Sequence, residues 1–104
     1  MDYLLIYDYS PDYMERRGQF RAEHLKRAWE SQTKGDLVLA GAFATQPYGA
    51  VFHFRGARPD AVEAFAKADP YVVNGLVTRW QVREWTTVVG DAAATPIRPE
   101  DARK

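Results

Sequence analysis

The chain has 104 residues, enough for one domain and too few for two. Fourteen basic residues balance fourteen acidic ones, and a neutral chain is poorly suited to nucleic acid, which calls for a basic surplus or a basic face. The cluster Arg16, Arg17, Arg21, Lys26 and Arg27 is broken by Glu23 and reads as a solvated helix face. There is no cysteine, which excludes a disulfide framework and a thiolate metal site. Met1-Asp2-Tyr3-Leu4 lacks the basic region of a signal peptide, and no apolar run approaches the ~20 residues that span a bilayer. The expectation is a cytoplasmic protein that does not enter a membrane.

Tyr3 to Tyr9 is rich in aromatic and branched residues and stops at Ser10-Pro11-Asp12, which predicts a first strand and a turn. The pattern then becomes helical as far as Lys34. Phe20, His24, Leu25, Ala28, Trp29 and Gln32 share one arc at 3.6-residue spacing. Gly18 interrupts this region, so the helix is expected from about Gln19, with Gly35 as its stop. Asp36 to Phe43 and Gly49 to Arg55 read as strands two and three around the loop Thr45 to Gly49. A second helix is predicted over Asp60 to Ala68, ended by Asp69-Pro70 because the residue before proline is pushed out of the helical region. After a turn over Tyr71 to Gly75, a fourth strand runs from Leu76 to about Val88. Residues 1–90 form the domain. Residues 91–104, rich in alanine, proline and charge, read as a poorly ordered tail or an arm.

The order β-α-β-β-α-β is the split βαβ arrangement, a ferredoxin-like α+β fold. Right-handed crossovers put both helices on one face of a four-stranded antiparallel sheet. The other face is bare, yet strands one, three and four carry apolar side chains in both directions. Leu4 and Ile6 alternate with Leu5 and Tyr7, Val51 with Phe52, and Trp85 stands opposite in phase to Val82. A water-facing surface would alternate cleanly with polar residues, so a homodimer packed through the sheet faces is expected.

Only two histidines are available for proton transfer. His24 lies on the apolar arc of the first helix, where an imidazole needs a hydrogen-bond partner. Asp69 sits at the end of the second helix, where a carboxylate faces the negative end of the helix dipole and has no evident capping duty. Two helices on one sheet face can bring these residues together, and Asp69 would then orient the ring and fix its tautomer. A buried structural pair explains the same pattern. His53 on strand three has no carboxylate nearby in sequence and reads as a sheet histidine. A metal site of His24, His53 and Asp69 has a suitable donor set but no spacing signature. Asp8, Tyr7 and Arg79 are weaker candidates for lining a substrate pocket, against plainer roles in turn, core and surface. Arg79 and Arg83 share one strand face. No phosphate loop, dinucleotide fingerprint, nucleophile elbow or zincin motif is present.

Five segments in order resemble the YciI-like (YCII-related domain) family over roughly positions 1 to 90. They are Leu4-Leu5-Ile6-Tyr7-Asp8, Arg21-Ala22-Glu23-His24-Leu25, Gly35 to Ala42, Asp69 to Val77, and Arg83-Glu84-Trp85. The resemblance implies a dimeric α/β barrel and a pocket holding a His–Asp pair at His24 and Asp69. It also implies acid–base chemistry on small cyclic molecules, since a member dehydrochlorinates a chlorinated hydroxyhydroquinone and similar folds host lactone isomerases. The expected function is a cofactor-free enzyme of lyase or isomerase type acting on a small cyclic or aromatic organic molecule. A non-catalytic metabolite-binding or accessory module is the alternative.

Overall fold

The structure, a computed structural model, describes residues 1–103. Strand β1 (Asp2–Tyr9) leads through a short helix α1 (Tyr13–Arg16) and a 3-10 turn (Arg17–Gln19) into α2 (Arg21–Thr33). Strands β2 (Leu37–Ala42) and β3 (Gly49–Arg55) follow, then α3 (Pro59–Ala68), a single turn α4 (Pro70–Val73), and β4 (Val77–Trp85). The strands form one antiparallel sheet in the order β2-β3-β1-β4, which is the ferredoxin-like α+β arrangement.

Alternation decides which side chains meet the helices. Tyr3, Leu5 and Tyr7 of β1 stand beside Phe54, Phe52 and Ala50 of β3 and are buried with Ala28 of α2 and Val62, Phe65 and Ala66 of α3. Each large apolar side chain so buried contributes about 1.5–3 kcal/mol. On the opposite face the register aligns Leu4 with His53 and Arg83, Ile6 with Val51 and Gln81, and Asp8 with Arg79. That face therefore mixes apolar and charged groups.

The structure corrects three local expectations. Helical turns begin at Tyr13, ahead of Gly18, and it is Phe20 in a non-helical conformation that separates them from α2. Only His24 and Ala28 of the α2 arc are buried. Leu25, Trp29 and Gln32 fall outside, because six positions subtend a wider arc than one flat sheet can cover. The segment after Asp69 is a helical turn, since proline at the first helical position is compatible with a start as well as a stop. Gly75, at φ +78, closes it in the left-handed region that favours glycine.

Beyond β4 the chain folds back on itself. Thr95 N–H and Ile97 N–H donate to the carbonyls of Thr87 and Val88 at 3.1 and 2.9 Å. Arg55 Nη2 ties this arm to the domain by donating to the Ala92 carbonyl at 2.6 Å.

Candidate active site

The helix-side face of β1 carries Tyr7 toward the start of α2 and the junction of α3 and α4. There Asp69 is fully buried and His24 is 8% exposed. His24 Nδ1 lies 2.9 Å from both carboxylate oxygens of Asp69. The Tyr7 hydroxyl donates to Asp69 Oδ2 at 2.7 Å, and the Tyr71 backbone N–H donates to Oδ1 at 3.0 Å. Asp69 thus does have a capping duty: it is the N-cap of α4, so the positive end of a helical turn faces it. The expected clash with the α3 dipole is relieved by this second helix start.

A carboxylate accepts and does not donate, so it selects the ring tautomer with the proton on Nδ1 and the lone pair on Nε2. Tyr71 stacks on the imidazole at 4.0 Å and 12°, and Phe52 meets its edge at 6.0 Å. These contacts leave the ring little rotational freedom. Burial, reinforced by the Asp69 charge, raises the Tyr7 hydroxyl far above the ordinary phenol range, which keeps it a donor. Burial likewise raises Tyr71, with Tyr13 adding to the shift.

Nε2 of His24 has no hydrogen-bond partner among the described residues. Because no buried side-chain nitrogen or oxygen among them lacks one, Nε2 is not wholly sealed from solvent, although the residue is buried. The ring therefore has a pinned edge at Nδ1 and an unpartnered edge at Nε2. Five surface cavities of about 280 to 590 Å³ are lined by neither His24 nor Asp69.

Of the other residues singled out from sequence, Tyr7 joins the pair directly. Asp8 and Arg79 do not: they are cross-strand partners on the opposite sheet face. His53 also lies on that face, so the His24, His53, Asp69 metal set is not assembled, and no metal-binding cluster occurs among the described residues.

His53 does have a carboxylate partner, which sequence reading missed. Its Nε2 meets Asp2 Oδ1 at 2.7 Å, and Arg55 Nε donates to the same oxygen at 2.7 Å. Asp2 is 51 residues from His53, and only the β1–β3 register brings them together. The Arg55 guanidinium chiefly, with help from His53 and against the opposing effect of burial, lowers the Asp2 carboxyl to about 2. Tyr71 was the other omission; its place directly after the capping Asp69-Pro70 pair was the available signal.

The profile of the YCII-related domain matches residues 1–86. The chain belongs to the YCII-related domain family. No curated protein matches it. Among solved structures, the 5-chloro-2-hydroxyhydroquinone dehydrochlorinase of Burkholderia phenoliruptrix AC1100, in complex with 2,5-dihydroxybenzoquinone, is similar with a TM-score of 0.73. Identity is 19%, and the match covers 84% of this chain and 95% of that one. At that identity the likeness establishes the shared fold. No helix among the described residues is long and apolar enough to cross a membrane.

Proposed function

We propose that this YCII-related domain protein is an enzyme that moves a proton on a small cyclic or aromatic organic molecule, with His24 as its acid–base group. The observation that carries the reading is the asymmetry of the His24 ring: Nδ1 is held by buried Asp69 while Nε2 is unpartnered and not wholly sealed from solvent. A side chain so arranged accepts a proton at Nε2 as the ring becomes imidazolium, and Asp69 stabilises the charge that forms. Returning the proton to another atom of the substrate gives an isomerisation. Loss of a leaving group such as chloride from the carbon next to the deprotonated one gives an elimination. Neither outcome requires a redox partner. The dehydrochlorinase with the same fold supports the lyase branch by analogy.

Tyr7 acts as a positioning residue through Asp69. Asp8 and Arg79 would reach a substrate only from the open sheet face, in a homodimer packed on that face.

A non-catalytic metabolite-binding or accessory module is the second reading. It is favoured by the small exposure of His24 and by cavities that lie elsewhere. Turnover of hydroxyquinones, lactones and their chlorinated analogues separates the two. The enzyme reading expects a substrate that wild type converts and that folded His24→Ala and Asp69→Asn convert about 10²–10⁴-fold more slowly. Equal rates in all three proteins would defeat it.

A further inference from the structure

The basic run from Arg16 to Arg27 contains two guanidiniums that the fold leaves without a partner. Arg16 is engaged: it donates to the Asn74 carbonyl at 2.7 Å and faces Asp12 at 3.9 Å. Arg27 is engaged as well, lying 4.8 Å from the centre of the Phe65 ring and donating to the Phe65 carbonyl at 3.1 Å. The side chains of Arg17 and Arg21 make neither an ion pair nor a hydrogen bond among the described residues. Glu15 and Glu23, the other carboxylates of this stretch, pair with neither.

Both arginines stand beside the ring that stacks on His24. Arg21 precedes His24 by three positions on α2, which makes the two neighbours on the helix surface. The Arg17 guanidinium lies 5.8 Å from the centre of the Tyr13 ring, and Tyr13 meets Tyr71 edge to face at 5.8 Å. The positive charges of Arg21 and Arg17 both bear on the Tyr71 hydroxyl, drawing it down against burial and Tyr13. The hydroxyls here have a proton to spare. Tyr13 interacts through its hydroxyl with those of Tyr9 and Tyr71. A row of three hydroxyls joined by two contacts uses two of its three protons, so one O–H is left to donate outside the row. Tyr13 and Tyr71 are 4% and 1% exposed, yet no buried side-chain oxygen among the described residues lacks a partner. The end of the row that offers this proton is therefore not wholly sealed.

We infer that Arg17 and Arg21, with the spare hydroxyl of the Tyr9–Tyr13–Tyr71 row, hold an anionic oxygen of the molecule on which His24 acts: a phenolate, an enolate or a carboxylate. The inference rests on the proton-transfer reading of His24 and narrows its substrate to an anion. Among the described residues Asp69 is the one carboxylate in contact with this cluster, and the two guanidiniums outnumber it. Each presents a planar fork of N–H donors that suits an oxyanion.

Binding is measured by titration calorimetry at low and high salt. The probes are 2,5-dihydroxy-1,4-benzoquinone, an anion at neutral pH, and its neutral ether 2,5-dimethoxy-1,4-benzoquinone. Wild type should bind the anion more tightly, and added salt should weaken that binding alone. Arg17→Gln and Arg21→Gln should each lower affinity for the anion about 10-fold, as expected for a charge-assisted hydrogen bond at a partly exposed site. Affinity for the ether should not change. Arg21→Lys, which keeps the charge and loses the fork, should recover part of the loss. Wild type that binds the anion no better than the ether overturns the inference. So does an Arg17→Gln, Arg21→Gln double variant that binds the anion as wild type does. His24→Ala separates the two readings, since it removes the proton acceptor and neither guanidinium. Wild-type turnover in His24→Ala defeats the proton-transfer reading, whereas the binding comparison decides the anion site.

Discussion

Replacing Asp69 by asparagine keeps the shape of the side chain and removes its charge. In the native protein both oxygens accept from His24 Nδ1, with Tyr7 O–H on one and Tyr71 N–H on the other. Asparagine offers one acceptor and one NH₂. If its oxygen stays with Tyr71, the NH₂ faces Tyr7, whose hydroxyl can turn and accept. The His24 contact then changes from charge-assisted to neutral, or reverses so that the ring accepts from the amide and moves its own proton to Nε2. Hydrogen bonds to a charged group are worth about 1.5–3 kcal/mol against about 1 for neutral ones. Weakening two of them in a fully buried site therefore costs about 2 kcal/mol. For a domain of this size that lowers Tm by about 10 °C, read by thermal unfolding monitored by circular dichroism. The proton-transfer reading adds a separate loss of turnover, because the reversed tautomer presents N–H where the reaction needs a lone pair. Tyr7→Phe, which leaves His24 and Asp69 paired, should cost less than Asp69→Asn in both readouts. An Asp69→Asn protein that melts with wild type would refute the network.

Asp2, whose carboxyl lies at about 2 against an ordinary 3.8, adds stability that is present above pH ~4 and lost as pH falls through 2. Because Arg55 reaches solvent, the contribution is held to about 1 kcal/mol; acid unfolding of Asp2→Asn should be correspondingly less steep below pH 4, and an unchanged profile would count against it. Gly49→Ala would place a Cβ 2.5 Å from the Tyr7 carbonyl oxygen and 3.2 Å from the Phe43 ring, so urea denaturation should show a loss of about 2 kcal/mol, while no loss would mean that β1 and β3 pair less tightly. Deleting residues 91–104 removes the Ala92 acceptor but none of the core, and Tm should shift by no more than a few degrees. Light scattering should return a dimer mass at micromolar concentration; a monomer would remove the basis for packing the mixed open face against a second copy.

Much of the fold was legible because alternation in β1, β3 and β4 and the punctuation at Ser10-Pro11 and Gly35 are local signals. Strand β3 falls at the residues its pattern predicted. His24 was legible for a similar reason, as a polar side chain on an apolar arc. The roles of Asp69 and Asp2 were harder to see. Asp-Pro carries the same local chemistry at a helix end and at a helix start, so the cap on α4 depended on what followed. The Asp2–His53–Arg55 cluster depends on strand register, which no local pattern encodes. The period of two also carried a warning about Asp8, since adjacent residues in a strand face opposite sides, and Tyr7 and Asp8 do not share one pocket wall within a single chain.

The central claim is that Nε2 of His24 is the working edge of the site, and it is tested most directly by NMR of the imidazole nitrogens. With 2,5-dihydroxybenzoquinone or a related hydroxyquinone added to saturation, the account predicts that the Nε2 resonance moves while Nδ1 keeps its bonded proton to Asp69. Binding that leaves both ring nitrogens of His24 unchanged, with shifts confined to residues elsewhere, would contradict it.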